Sequence, residues 1–431
     1  MNAVDSCVGR VETPKTPYIK KRMKRYCKNI TLDQNFITAC IYECLSDKWN
    51  RMDTARFLAN YTNIITARQI HRIIKENLKG WLHNLVCTAA AGMEEEIKLR
   101  KVSFDPIKTS ARLDGNSGKV RDIGVECIKQ QIYDYVATNG LRELFERKIG
   151  TYQCASIPGR GQVYGKTAIE NWIRKNPGKT RIAAKGDVRK CYPSINRRKL
   201  KRMLEKQVRN EDLLYLTFVL IDSFDQGLSI GSYLSQWLCN YYLSAAYHYA
   251  AEKLFKRKKH RDGTIEEIRL INHVLFYMDD FLLIGSRKAD VRKAMKLLVK
   301  YMNEYLDLTV KPDWKLFQID WIDKDGKHHG EPIDMMGFKI YRDHTEVRRS
   351  IFLRGRRAFV KAGKYVEKGK AIPLDLAYRC IAYYGWFKHS DSEYFREKHN
   401  VDKIFEKAKR RVSRESKIYR KAGSCNLEYV A

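Results

Sequence analysis

The sequence predicts a mixed α+β protein, and three observations carry that prediction. The apolar run His273–Gly285 divides into two strands, Val274–Tyr277 and Phe281–Ile284, around the acidic pair Asp279-Asp280. A second strand-like segment starts at Ile182 and ends in a single acid, Asp187, before a turn that carries Tyr192 and Pro193. Residues 1–100, by contrast, place apolar side chains at helical spacing.

Taken in order, Asp33 opens a helix that runs through Leu45, and a second helix covers Asp53–Asn60. The helical pattern continues over Ile65–Leu85 and again over Ala89–Arg100. The basic stretch Pro14–Lys28 is a candidate RNA contact, and the plainer alternative is a helical extension packed on the rest of the chain. Further helices are expected at Val125–Ala137 and Val163–Asn176. The basic segment Lys253–Arg261 leads into a protruding turn, Arg261-Asp-Gly-Thr264, and Asp323–Gly330 forms a second charged loop between strands. From Glu346 onward, arginines and lysines alternate with aromatics, most densely over Tyr378–Phe387, and Lys403–Ser424 reads as a basic helix. Basic helices of this kind grip a phosphate backbone, while each aromatic either packs a core or stacks on a base.

Composition narrows the partner. With 83 Lys+Arg against 50 Asp+Glu, the chain of 431 residues carries a net charge of +33, which points to a polyanion. A membrane surface is the rival reading of that charge. No apolar run approaches the roughly 20 residues that span a bilayer. The start, Met1-Asn-Ala-Val-Asp-Ser-Cys7, has no apolar signal core, so a cytosolic location and no membrane partner are expected. The eleven cysteines form no Cys-x-x-Cys pair. Cys40 and Cys44 stand at i, i+4 without a completing His or Cys quartet, so reduced thiols used as small apolar residues are expected rather than zinc ligands.

The acidic residues suggest the chemistry. Ionised carboxylates in an apolar run are costly unless they are paired or bound to metal. If Asp187 and the 279/280 pair converge from neighbouring strands, their oxygens suit a hard ion such as magnesium, held by one or two carboxylates plus substrate phosphates. Two such ions, about 3.5–4 Å apart, activate an attacking hydroxyl and stabilise the leaving oxygen of an in-line phosphoryl transfer. The plainer alternatives are a surface Asp-Asp turn and, for Asp187, a helix N-cap.

Taken together, Asp187-x-x-x-x-Tyr192 and Tyr277-Met-Asp279-Asp280 resemble motifs A and C of reverse transcriptases. Between them, Gln226–Asn240 resembles motif B, a glycine-bearing loop that opens a palm helix. Leu308-Thr-Val-Lys311-Pro resembles motif D, and Ile333–Tyr341 resembles the motif E hairpin. Gly118-Lys119-Val-Arg121-Asp-Ile123 is similar to the fingers segment that meets the incoming triphosphate. Ser156-Ile-Pro-Gly159-Arg160-Gly161 resembles a signature of the bacterial, non-retroviral lineage, and Ala382–His389 resembles a thumb helix of bacterial members.

The resemblance implies a right-hand polymerase with an antiparallel palm sheet: a helical N-terminal extension (1–100), fingers (101–181), a palm (182–345) and a basic helical thumb and tail (346–431). It implies that Asp187, Asp279 and Asp280 are catalytic and hold two Mg2+ ions, with Mn2+ as the alternative, and that Asp280 ranks below the other two. It assigns Tyr192 as the steric gate against a ribose 2′-hydroxyl, and Arg121 and Lys119 as triphosphate contacts. Ile230, Gly231 and Gln236 border the nucleotide in the same scheme. Lys311 becomes the proton donor to pyrophosphate, with Lys315 as its rival.

One departure stands out. Many reverse transcriptases carry Gln-Gly and later Ser-Pro in motif B, whereas this chain has Ile230-Gly231 and Ser235-Gln236. That pattern resembles diversity-generating retroelement enzymes and several phage-defence groups, and it bears on fidelity. The expected function is RNA-directed DNA synthesis from dNTPs on an associated non-coding RNA, with an RNA/DNA duplex as the bound partner and phage defence as the biological role. Because the chain ends soon after the thumb, other molecules, an accessory protein among them, are expected to assist priming or later steps. Alternatives are an error-prone diversity-generating enzyme, an RNA-dependent RNA polymerase, and a non-catalytic RNA-binding scaffold.

Overall fold

The computed structural model describes residues 24–62, 65–76, 78–113 and 120–422, with side chains to residue 415. Lys119 lies outside the described residues, as does most of the basic stretch 14–28.

Four helices lead: α1 (Gln34–Leu45), α2 (Met52–Ala59), α3 (Ala67–Lys75) and α4 (Lys79–Lys98). The start of α1 is fixed by Asp33, whose carboxylate accepts the Phe36 N–H at 2.8 Å, and that of α3 by a reciprocal Thr66/Gln69 capping box. The pattern expected to run through 65–85 is in fact broken between α3 and α4. The Glu76 N–H closes α3 on Arg72 O at 2.8 Å, and α4 starts afresh after Leu78. The two stretches expected at 65–85 and 89–100 are instead α3 and a single long α4. Cys40 and Cys44 are buried free thiols on the inner face of α1.

Next comes the hairpin β1 (Lys108–Leu113) and β2 (Val120–Val125), then α5 (Ile128–Gly140), α6 (Arg142–Lys148), the short strand β3 (Gln153–Cys154) and α7 (Gln162–Lys175). The helix expected from Val125 starts three residues later, because Val125 is the last residue of β2 and pairs with Lys108. Periodicity within 125–137 carries no trace of that partner strand.

The centre of the molecule starts with β4 (Ile182–Asp187), the single turn α8 (Cys191–Ser194), α9 (Arg197–Gln207), α10 (Glu211–Asp222) and α11 (Tyr233–Glu252). The basic segment after α11 forms the first strand of a hairpin, β5 (Phe255–Lys259) with β6 (Ile265–Arg269), and the turn at 261–264 is its tip. Beyond it lie β7 (His273–Tyr277), β8 (Asp280–Gly285), α12 (Lys288–Leu306) and β9 (Lys315–Gln318). One sheet joins these strands in the order β3-β7-β8-β4-β9. It is antiparallel except at its edge, where β3 runs parallel to β7. There, two residues of β3 add on from a distant loop rather than through a hairpin.

The two faces of this sheet differ. Ala184, Phe281 and Leu283 join the large core that α11, α12 and the N-terminal helices share. Ala183, Leu282 and Ile284 face a second core with α7 and the later strands. Those strands are the short pair β10 (Trp321–Ile322) and β11 (His328–His329), then β12 (Ile333–Met335), β13 (Phe338–Ile340) and β14 (Thr345–Val347). The charged stretch 323–330 is thus largely a turn carrying a two-residue strand pair.

The described residues end in four helices: α13 (Arg349–Glu367), α14 (Leu374–Lys388), α15 (Glu393–Lys398) and α16 (Val401–Ala422). They build a third core around Phe359 and Phe387. Trp386 joins this core to the β12–β13 turn, where Gly337 has φ +83° and a Cβ would lie 2.4 Å from the indole.

Candidate active site

Strand alternation brings the three predicted acids together. Ala183, Lys185 and Asp187 point to one face of β4, and Ala184 and Gly186 to the other. Asp187 is the register partner of Asp280, which pairs with Tyr277 across the β7–β8 hairpin. Met278 (φ +52°) and Asp279 make the tight connection. The Asp279 carbonyl accepts the Val188 N–H at 3.0 Å, tying this turn to the chain leaving β4.

The charges here are strongly interdependent. Burial raises the Asp279 pKa above the usual carboxylate range, and Asp187 adds to this, while Lys311 and Arg121 oppose it. Burial likewise raises Asp280. Lys185 opposes that rise, while the Asp279 charge and a hydrogen-bonding contact with Asp187 reinforce it. Lys311 Nζ pairs with Asp187 Oδ1 at 2.5 Å, and its own N–H donates to the Asp187 carbonyl at 2.9 Å. That ion pair raises the Lys311 pKa, so the ammonium stays charged. Lys315, the rival to Lys311, is exposed on β9 opposite Lys185. A cavity of about 280 Å³ opens beside Asp187 and Asp280, lined also by Lys185, Lys311, Trp314 and Lys315.

Tyr192 lies just after β4, in α8, and is held by the motif B loop: its carbonyl accepts the Leu228 N–H at 2.9 Å. Gly227 makes this approach feasible. It has φ +50°, and a Cβ there would lie 2.2 Å from the Tyr192 carbonyl oxygen. Burial and the nearby Asp279 charge raise the Tyr192 pKa, so its hydroxyl stays protonated. The same loop touches the β1–β2 hairpin, where a Cβ on Gly231 would lie 2.4 Å from Gly124 O. Ile230 is half-buried between these contacts, beside a cavity of about 280 Å³ that Asp122 and Gln226 also line. Gln236 lies in the first turn of α11, half-buried. Arg121 stands exposed on β2, and its charge reaches Asp279.

Asp187, Asp279, Asp280, Tyr192, Lys311 and Arg121 therefore meet in one region, and Ile230 and Gly231 sit where the β1–β2 hairpin approaches it. Two further residues went unassigned in the sequence. Lys185 donates to Asp334 O at 2.8 Å and modulates Asp280; standing two residues before Asp187, it was identifiable as sharing its face. Asn240 donates from Nδ2 to Ala155 O and Met278 Sδ, both at 3.2 Å, locking α11 to the β7–β8 turn. Nothing in the local pattern marks that role.

Among the described residues no three His, Cys, Asp or Glu side chains converge into a finished cation site. The donor chemistry nevertheless fits divalent metal: Asp187 and Asp280 stand opposite each other in the sheet, close enough that the Asp187 charge helps raise the Asp280 pKa, with Asp279 on the adjacent turn. Magnesium needs only one or two carboxylates, with water and phosphate completing its shell.

A sequence model described as reverse transcriptase (RNA-dependent DNA polymerase) matches residues 108–340, from the first residue of β1 to the last of β13. The chain belongs to the reverse transcriptase family. That family is one of nucleotidyltransferases, and the α+β architecture seen here is its right-hand polymerase fold. No curated protein matches the sequence. Among solved structures, apo telomerase from Candida tropicalis aligns at 13% identity and a TM-score of 0.43, over 95% of this chain and 83% of that one. A form truncated from its C-terminal domain aligns at 15% identity and 0.35, over 66% of this chain and 61% of that one.

Proposed function

We propose that the protein is an RNA-directed DNA polymerase whose catalytic acids are Asp187, Asp279 and Asp280. The observation that carries this reading is the register pairing of Asp187 with Asp280 at one end of a sheet, with Asp279 in the adjoining turn. Two bound divalent ions, Mg2+ or alternatively Mn2+, would supply the activation of the primer hydroxyl and the charge neutralisation at the leaving oxygen. The carboxylates hold that charge at the strand ends. Tyr192, fixed by the Leu228 hydrogen bond, closes the space where a ribose 2′-hydroxyl projects and so selects dNTPs. Arg121 and, outside the described residues, Lys119 bind triphosphate oxygens, for which a guanidinium fork is suited. Lys311, protonated beside Asp187, gives its proton to the departing pyrophosphate.

In this proposal residues 101–181 act as fingers, 182–345 as palm and 346–431 as thumb, with 1–100 as a helical extension. The partners are a dedicated non-coding RNA and the RNA/DNA duplex made from it. The setting is the bacterial cytosol, and the role is antiphage defence. The support for that setting is the Ser156–Gly161 signature and the Ile230-Gly231 variant of motif B. The same variant favours a second reading, an error-prone diversity-generating enzyme, because Ile230 puts an apolar side chain where a glutamine commonly borders the nucleotide.

Sequencing the nucleic acid that copurifies from cells, with and without phage infection, tests both readings. A discrete small RNA with complementary DNA, lost in Asp279→Ala/Asp280→Ala, supports the first. Complementary DNA with substitutions concentrated at one template base supports the second. RNA with no DNA under either condition contradicts both.

A further inference from the structure

Asp53, Arg56, Phe57 and Asn60 form one stripe of α2, at i, i+3, i+4 and i+7, and with the segment 103–108 they line a cavity of about 560 Å³. Val125 and Glu126 belong to its wall and also to that of a second cavity, of about 250 Å³, so the two adjoin. Lys48, Tyr135, Gly231 and Tyr233 line the second cavity together with Ile123. Ile123 stands two residues, about 7 Å, beyond Arg121 on the same face of β2. A groove therefore leads outward from the region of the acids, past the β1–β2 hairpin, to the N-terminal helices.

The walls of this groove are short of anions. Arg51 pairs with Asp53, and Lys129 with Glu96 at 2.7 Å. Glu126 is buried, and burial keeps its carboxyl protonated. Among the described residues Lys48, Arg56 and Lys108 form no ion pair, and Asp105 is the single acid left to face them. Arg56 comes from α2 and Lys108 from β1, so like charges meet across one concave cleft and focus their potential on an anion between them.

Aromatic rings share the same groove. Tyr135 of α5 and Tyr233 of α11 stack with centroids 4.2 Å apart and planes 16° apart, and the Lys48 ammonium lies 5.9 Å from the Tyr135 centroid. Packing of α5 on α11 accounts for the contact between the rings. It gives no reason for cations without partners along the cavities that these rings line. Stacked bases and neutralised phosphates are how such a groove binds a single strand. Lys48 is the one cation lining the smaller cavity among the described residues, a match for one phosphodiester rather than a triphosphate. The basic helices α13–α16 join the site elsewhere: Lys185 donates to Asp334 O, and Asp334 pairs with Arg348, just before α13, at 2.6 Å. A product duplex on those helices leaves the β1–β2 side to the strand not yet copied. Lys48 and Arg56 also precede the segment 108–340 that the family model matches, so this wall is an addition to it.

We propose that the groove between α2 and the β1–β2 hairpin holds the unpaired RNA template ahead of the site of synthesis, an inference that rests on the polymerase reading above. A template base beyond the one being copied stacks at Tyr135 and Tyr233, and the phosphates that follow meet Lys48, Arg56 and Lys108.

The test uses the full chain and two RNA-template/DNA-primer duplexes, one with a single unpaired template nucleotide and one with about six. Wild type is expected to bind the longer overhang roughly tenfold more tightly. Arg56→Ala/Lys108→Ala removes most of that gain and lowers its salt slope by about 1.4, while affinity for the short overhang and extension by one nucleotide on it stay unchanged. Tyr135→Ala also reduces the gain, and Tyr135→Phe keeps it. The charge variant changes exposed side chains alone, so it decides the matter even if Tyr135→Ala fails to fold. Equal affinity of wild type for both overhangs, an undiminished gain in the charge variant, or an equal loss on both duplexes would each overturn the proposal. If wild type extends neither primer, the polymerase reading itself fails; if it extends both without an overhang gain, only this proposal does.

Discussion

Replacing Gly227 by alanine tests whether the loop around it positions Tyr192, the proposed steric gate. The residue has φ +50°, and an added Cβ would lie 2.2 Å from Tyr192 O and 2.5 Å from Pro193 O, both backbone atoms that no rotamer change can move. The left-handed conformation alone costs an alanine about 1–2 kcal/mol. Relieving the clash requires the loop to retreat and lengthens the Leu228 N–H to Tyr192 O bond, now 2.9 Å, whose loss costs about 1 kcal/mol. The sum is about 2–3 kcal/mol. If it is felt as misplacement of Tyr192 when the nucleotide reacts, kcat/KM for dNTP incorporation falls roughly 30- to 150-fold. Gly369→Ala is the control, because its φ of +66° imposes the same conformational cost with nothing within 4 Å of the new methyl. Single-nucleotide primer extension and thermal unfolding, run on both variants, separate the two contributions. Equal behaviour of the two variants in both assays would refute the idea that the close approach to Tyr192 matters.

Other substitutions probe the remaining parts of the site. Asp187→Asn should lower nucleotide incorporation at least about a hundredfold while leaving the melting temperature near that of wild type, since a group that stabilises transition-state charge is lost; circular dichroism and primer extension check both. Lys311→Ala should slow incorporation by about a hundredfold or more if it is the proton donor, whereas Lys315→Ala, exposed on β9, should change it much less. Ile230→Gln should lower the misincorporation frequency read by sequencing the products, and an unchanged error spectrum would count against a fidelity role for this position. Glu126 offers a pH test away from the acids of the sheet. Burial, reinforced by the buried Asp134 beside it, pushes its pKa up to about 9, while Asp134 accepts from Ser232 Oγ at 2.6 Å and Leu234 N at 3.1 Å at the start of α11. The native state therefore holds a proton that the unfolded chain releases near pH 4.5, so this contribution is complete at low pH and fades as pH rises toward 9. Glu126→Gln keeps a donor for Asp134 without titrating, and the drop in melting temperature from about pH 6 to about pH 9 should be smaller than in wild type.

Much of the site was legible because it is written in short local patterns. The acids announce themselves as charges in an apolar run, and the alternation of β4 and β8 puts Asp187 and Asp280 on one face once the strands pair. Helix starts at Asp33 and Ser232 are encoded by side chains that cap their own backbone. What stayed hidden depends on partners far away in the chain. Val125 reads as helical until β1 is seen beside it, and β3 joins the sheet through two residues that no periodicity marks. Asn240 reads as one more residue of a helix, although its amide reaches Met278 in the β7–β8 turn 38 positions on.

The most direct test of the central claim is extension of a DNA primer on a defined RNA template by the purified chain, with dNTPs or rNTPs and Mg2+, comparing wild type with Asp279→Asn/Asp280→Asn. The account predicts complementary DNA from dNTPs with wild type alone, and almost none from rNTPs. Extension that survives in the double variant, or that proceeds equally well with rNTPs, would contradict the assigned acids or the assigned gate respectively.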